Sequence, residues 1–159
     1  MSSVFLAPHS DDETLFGAFT LLRHKPHVII CTQGGPEREA ETEAACQILG
    51  VTWEQWRLPV DRIFHALEEW RYDHIYAPTP EPEGNAEHNY IGTMVRRHFP
   101  DALTQYMTYT PAGKSAGTPV PYELDWIGLK LRALACYPSQ YSHPSDAPHF
   151  VRGLEEFYA

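Results

Sequence analysis

Ser3 to Glu13 reads SVFLAPHSDDE, and this stretch decides the fold. Ser3 to Ala7 is a short apolar run ending at Pro8, the pattern of a buried strand rather than a helix. Asp12 to His24 then carries Leu15, Phe16, Phe19 and Leu22 at helical spacing. A strand passing through a short polar turn into a helix opens an α/β unit, and the turn itself, Pro8 to Glu13, lies where such folds place their chemistry.

The alternation continues outward from there. His27 to Thr32 (HVIICT) is a second buried strand, rich in β-branched residues. Glu37 to Leu49 reads as a helix closed by Gly50. Thr52 to Leu58 suits a third strand, and Asp61 to Arg71 a helix with Asp61 as N-cap. His74 to Ala77 is a fourth strand, stopped by Pro78 and Pro80. A helix beginning at His88 or Asn89 runs to His98, a fifth strand covers Gln105 to Thr110, and a last helix covers Trp126 to Cys136. The segments Pro78 to Gly84 and Pro111 to Pro121 read as loops. Strands alternating with helices predict an α/β fold: one compact domain over residues 1–159, a Rossmann-like three-layer sandwich with a mostly parallel sheet.

A length of 159 residues with 43% hydrophobic content suits one core. The formal charge of −9 repels a phosphate backbone and argues against a nucleic-acid partner, the small basic cluster Arg96, Arg97 and His98 notwithstanding. Cys31, Cys46 and Cys136 form no disulfide framework, which fits a reducing, cytoplasmic setting. The first residues lack the basic region of a signal peptide, and no apolar run is long enough to span a bilayer.

The turn after the first strand offers His9 and Asp12, three residues apart. An imidazole nitrogen and a carboxylate oxygen suit Zn²⁺, and a catalytic zinc site needs a third protein ligand and an open position for water. That ligand must come from another strand-end loop, and His88 is the candidate. Asp11, beside two ligands, is placed to act as general base. A plainer reading stands next to this one. Acidic residues at a helix start commonly serve as caps, and a loop histidine is usually only solvated.

Several segments share a further pattern. After PHSDDE come Thr32 and Gly34, then Arg38 and Glu41, then Leu49, Gly50 and Val51. The stretch Asn85, Ala86, Glu87, His88 follows, and near the end stand Lys130, Ala133, Leu134, Tyr137, Pro138, Ser139 and Gln140. In this order the segments resemble the PIG-L or LmbE-like family of zinc-dependent de-N-acetylases, which act on N-acetylglucosaminyl groups. The resemblance implies a hydrolase with one Zn²⁺ per chain (Fe²⁺ being possible) and an amino-sugar conjugate as substrate. It assigns His9, Asp12 and His88 to the metal and Asp11 to the base. It also assigns Arg38 to the sugar, and Lys130 and Gln140 to support of the site.

Two positions depart from the family pattern. Asn85 stands where the family has a histidine thought to act as electrophile or acid; Asn can donate a hydrogen bond to an oxyanion but cannot deliver a proton. Tyr137 replaces a second family histidine, and its phenol is expected to bond substrate or oxyanion. Glu87 keeps a carboxylate able to orient a ligand, and His143 is a candidate substitute acid. Two rival readings use the same residues. One is an iron(II) oxygenase with His9, Asp11 and a later histidine. The other is a non-catalytic sugar-binding module with a degenerate site.

Overall fold

Strand β1 (Ser3–Ala7) is the pivot of the sheet in the computed structural model, which describes residues 2–108, 117–141 and 156–159. It pairs in parallel with β2 (His27–Ile30) on one side and β4 (His74–Pro78) on the other. β3 (Trp53–Gln55) and β5 (Leu103–Tyr106) extend the sheet in parallel at the two flanks. Beyond β5 lies β7 (Phe157–Tyr158), antiparallel both to it and to the outermost strand β6 (Thr118–Pro119). The order is therefore β3-β2-β1-β4-β5-β7-β6. The chain walks outward from β1 to β3 and crosses back to lay β4 beside β1. The connections leaving β1 and β4 thus diverge, and the carboxyl ends of these two strands are where open α/β sheets place their sites.

Side chains alternate across the sheet and build two cores. Phe5, Ala7, Val28 and Ile30 pack beneath α1 (Asp12–His24), α2 (Gly35–Leu49) and α5 (Leu124–Leu134). Val4, Leu6, Ile29 and Ile75 pack beneath α3 (Arg62–Trp70) and α4 (Ala86–His98). The result is the expected three-layer α/β sandwich. Among the described residues no helix is long and apolar enough to cross a membrane.

The boundaries that moved have local causes. Helix α4 begins at Ala86 rather than His88 because the Asn85 side chain caps it, accepting from Glu87 N and His88 N. The third strand shrinks to the three residues that pair with β2. The fifth lies at Leu103–Tyr106, because a 3₁₀ turn over Pro100–Ala102 delivers the chain to its register with Ile75 there. Residues 109–110, which the expected strand included, lie outside the described part. The final helix begins at Leu124 instead of Trp126. The two-residue strands β6 and β7 and the short helix α6 (Pro138–Tyr141) were not expected; segments this brief carry no hydrophobic period.

Lys130 plays a part that sequence reading could not define. Its ammonium is fully buried, 2.7 Å from Glu156 Oε1 and over the Phe19 ring. The same carboxylate accepts from the backbone N–H of Phe19 at 2.8 Å and of Thr20 at 3.3 Å, tying the end of the chain to the middle of α1. Removing one partner of a buried pair strands the other charge at a cost of about 3–5 kcal/mol. Glu156→Ala is therefore expected to lower Tm by about 10 °C or more. Lys130→Met should cost less, because Glu156 keeps its backbone donors. Equal losses in thermal unfolding would remove this asymmetry.

Candidate metal centre

The turn after β1 is held at nearly every peptide. Pro8 O accepts from Thr32 N at 3.0 Å and Thr32 Oγ1 at 2.7 Å, which fixes the start of the turn to the end of β2. Asp11 O accepts from Thr14 N and Leu15 N, starting α1. Asp12 folds back so that its Oδ2 accepts from His9 N at 2.8 Å. The three-residue spacing thus places the His9 ring and the Asp12 carboxylate on one side of the turn.

His88 reaches the same point from the opposite layer. It sits in the first turn of α4, and α4 lies hard against the end of β4. A Cβ at Gly92, one turn further on, would fall 2.1 Å from Pro78 O, so only glycine permits that approach. The preceding loop is stapled as well: Asn89 Oδ1 accepts from Glu81 N, and Asn89 Nδ2 donates to Glu81 O, each at 2.8 Å. Phe16 of α1 meets the His88 ring edge-on, with centroids 6.4 Å apart.

Three donor atoms converge as a result. His9 Nδ1 and His88 Nε2 are 3.1 Å apart, and they lie 3.2 and 3.0 Å from Asp12 Oδ2. Asp12 and His88 are each only 1% exposed, whereas His9 borders solvent. Donor atoms about 3 Å apart would suit a cation held at the usual distance of about 2.0–2.2 Å from each. The two-nitrogen, one-oxygen donor set suits zinc or iron(II). On the far side of the His9 ring, Nε2 lies 2.5 Å from Glu87 Oε2, the outer carboxylate that commonly fixes a ligating imidazole. It is Asp12, not Asp11, that joins the two histidines. Among the described residues, the donor set His9, Asp11 and a histidine expected of an iron(II) oxygenase is not gathered.

Without a cation, charge pairing sets the protonation of this cluster. The Asp12 hydrogen bond, against the opposing effect of burial, raises His9 to about 9, with help from the Asp12 and Glu87 charges. For Asp12, burial pushes upward, but the hydrogen bonds and charges of His88 and His9 prevail and hold it at about 2. The raised His9 value stabilises the metal-free fold fully below 6.5, and that contribution fades as pH rises through about 9. The Asp12 contribution is present above 3.8 and fades as pH falls toward about 2. A ligating histidine must be neutral, so metal uptake at pH 7 should release the His9 proton. Apparent Zn²⁺ affinity should then rise about tenfold per pH unit until pH approaches the His9 value. Calorimetry in buffers of different ionisation enthalpy reads the released proton directly. A heat independent of buffer would contradict the protonated His9.

The remaining expected residues are placed as follows. Asp11 stands at the N-cap position of α1 without a side-chain capping bond. Asn85 is exposed and its carbonyl oxygen is committed to capping α4. Arg38, half-buried on α2, donates through Nη2 to Gln140 Oε1, joining two positions of the sequence pattern. Its neighbour Glu41 accepts from Ser139 N at 2.9 Å and Ser139 Oγ at 2.6 Å, docking α6 on α2. Tyr137 lies in the interior. Its ring is fully buried and its hydroxyl donates to Glu13 Oε1. The turn after α5, closed by Tyr137 N to Leu134 O at 3.1 Å, swings the ring inward. His143 lies outside the described residues.

Glu13 went unremarked in the sequence. It is fully buried, where its Oε2 accepts from Asp11 N at 3.0 Å and its Oε1 from Thr14 Oγ1 at 2.6 Å. Burial raises its carboxyl above the ordinary range, against the pull of the Thr14 and Tyr137 hydrogen bonds. No local signal marks a glutamate in the first turn of a helix as buried, since that position ordinarily favours an exposed acid.

No protein-family description and no curated protein matches the sequence. Two solved structures share its fold. A deacetylase triple mutant (Orf2*T) involved in the teicoplanin biosynthetic pathway superposes with a TM-score of 0.75 at 15% identity, covering 96% of this chain and 89% of that one. GalB, the 4-carboxy-2-hydroxymuconate hydratase from Pseudomonas putida KT2440, superposes with a TM-score of 0.62 at 14% identity, covering 96% of this chain and 84% of that one.

Proposed function

We propose that this chain is a metal-dependent N-deacylase of the PIG-L or LmbE-like kind, releasing acetyl from an N-acetylglucosamine-type conjugate. One observation carries the reading. His9, in the turn after β1, and His88, 79 positions on in α4, bring their ring nitrogens to one buried carboxylate oxygen of Asp12. The fold shared with the teicoplanin-pathway deacetylase supports it.

His9, Asp12 and His88 would hold the ion, one Zn²⁺ per chain, with Fe²⁺ matching the same donors. When bound, zinc supplies Lewis acidity and lowers the pKa of a water toward about 7. Asp11 takes a proton from the water that adds to the acyl carbon. The C–N bond then breaks, and Asp11 returns that proton to the departing nitrogen. Water is thus divided between acetate and the free amino sugar. Asn85, oriented as a cap, has an amide to donate but no proton to give, so in this reading Asp11 makes both transfers. Glu87 holds His9 in place, and Arg38 would meet the sugar.

The commitment of Asn85 and Tyr137 to structural bonds favours a second reading, a sugar-binding member that does not cleave. One experiment separates the two. Purified protein is assayed for metal content and for acetate release from N-acetylglucosamine, before chelation, after it, and after Zn²⁺ is returned. Near one zinc per chain, with release lost and restored in step, supports the deacylase. Zinc without release favours the binding module. No metal after reconstitution defeats both the metal centre and the function built on it.

A further inference from the structure

Asp11 has φ 105° and ψ −29°, in the left-handed half of the map. A residue with a Cβ holds such a conformation at a cost of about 1–3 kcal/mol, and only where its surroundings enforce it. Backbone contacts on both sides of the residue help to enforce it. Asp11 O is fixed by Thr14 N at 3.0 Å and Leu15 N at 2.8 Å, as at any helix start. Asp11 N is fixed by the Glu13 carboxyl, a side chain two positions ahead.

Glu13 is anchored in turn from far away. Tyr137, 124 positions along the chain, donates its hydroxyl to Glu13 Oε1 in the interior. Tyr137 itself sits between α5 and α6, and α6 is bound to α2 through Glu41 and Ser139. A carboxyl serving only to fill space there would be poorly chosen, because burying it is unfavourable unless every acceptor is satisfied. Here its two oxygens accept three bonds, and one of these holds the strained peptide.

We propose that Glu13 is a positioning residue for Asp11, with Tyr137 as the clamp that keeps the Glu13 carboxyl in place. The pair fixes the Asp11 backbone and thereby the direction in which its side chain leaves the chain. Its catalytic consequence rests on the reading of Asp11 as general base.

The test uses Glu13→Ala, Glu13→Gln and Tyr137→Phe in the full chain, with two readouts. The first is amide hydrogen exchange. Asp11 N–H should be protected in the wild type and lose about tenfold or more of its protection in Glu13→Ala, while the amides of Leu15 to Leu21 keep theirs. Glu13→Gln, which retains a carbonyl acceptor, should restore it. The second readout is acetate release from N-acetylglucosamine with zinc saturating. Glu13→Ala should lower kcat about 10–100-fold at unchanged KM and unchanged zinc affinity. Tyr137→Phe should lower kcat less, and should add nothing in the Glu13→Ala background.

An Asp11 amide that exchanges freely in the wild type, or equally in all variants, overturns the clamp. So does an unchanged kcat, or additive losses in the double variant. Should Glu13→Ala not fold, Glu13→Gln and Tyr137→Phe carry the same comparison. A wild type that releases no acetate but protects Asp11 N–H defeats the deacylase reading and leaves the clamp standing.

Discussion

His88→Ala is expected to empty the metal centre and abolish acetate release together. The imidazole supplies one of three donors, and its Nε2 lies 3.0 Å from Asp12 Oδ2 and 3.1 Å from His9 Nδ1. Losing a partner that merely supports a ligand typically weakens metal affinity about 10–100-fold, and losing the ligand should exceed that. Zinc content should fall from near one per chain to near zero after dialysis, with turnover below detection. The fold should survive the change. His88 is buried against Phe16, so a modest cavity and a lost hydrogen bond are expected, about 1–3 kcal/mol in the chelated state. Unfolding of both proteins under chelation measures that part separately. Zinc retained at wild-type affinity in His88→Ala would show that the ion, if any, sits elsewhere.

Asp11→Asn should give the opposite dissociation, with metal kept and turnover lost. The substitution preserves size, and Asn tolerates the left-handed backbone that Asp11 adopts. Asp11 is not among the three convergent donors, so zinc affinity should stay within about threefold of wild type. Removing a general acid–base typically costs about 10²–10⁴ in rate, and the upper end is expected because Asn85 cannot take over a proton. Full activity in Asp11→Asn with zinc bound would transfer the base to another group and remove the reason for the strained turn. Read together, the two variants separate holding the ion from moving the proton, a division that one inactive variant cannot make.

Much of the architecture was legible from local pattern. The ends of α1 coincide with the expected Asp12 to His24, because Leu15, Phe16, Phe19 and Leu22 mark one face and the turn before them is sharp. Helix α2 ends at Leu49 because Gly50, with φ 65°, closes it as a left-handed cap. The strand expected over Thr52 to Leu58 is longer than the three residues that pair with β2, because the alternation of Trp53, Gln55 and Arg57 with Glu54, Trp56 and Leu58 does not mark where pairing stops. The site was legible only in outline. His9 and Asp12 are close in sequence, and their three-residue spacing suffices to put them on one side of the turn. The burial of Tyr137 was not legible, because a phenol near a loop gives no sign of which way it turns. Here the turn after α5 drives it into the core, where Glu13 accepts its hydroxyl.

The sequence by itself determined the layers and the turn. Strand and helix periods, proline and glycine stops, and the short PHSDDE segment are local features, and local features follow from neighbouring residues. Tertiary structure alone decided which strands lie side by side, and so whether His88 could meet His9 at all. It laid β4 against β1, let α4 close on Pro78 through Gly92, and brought His88 to the Asp12 carboxylate. It also placed Glu13 under Tyr137 and Lys130 against Glu156. The physical reason is the same for each. A contact between distant residues depends on strand order and on how closely two packed elements approach, and no periodicity within either element encodes that distance.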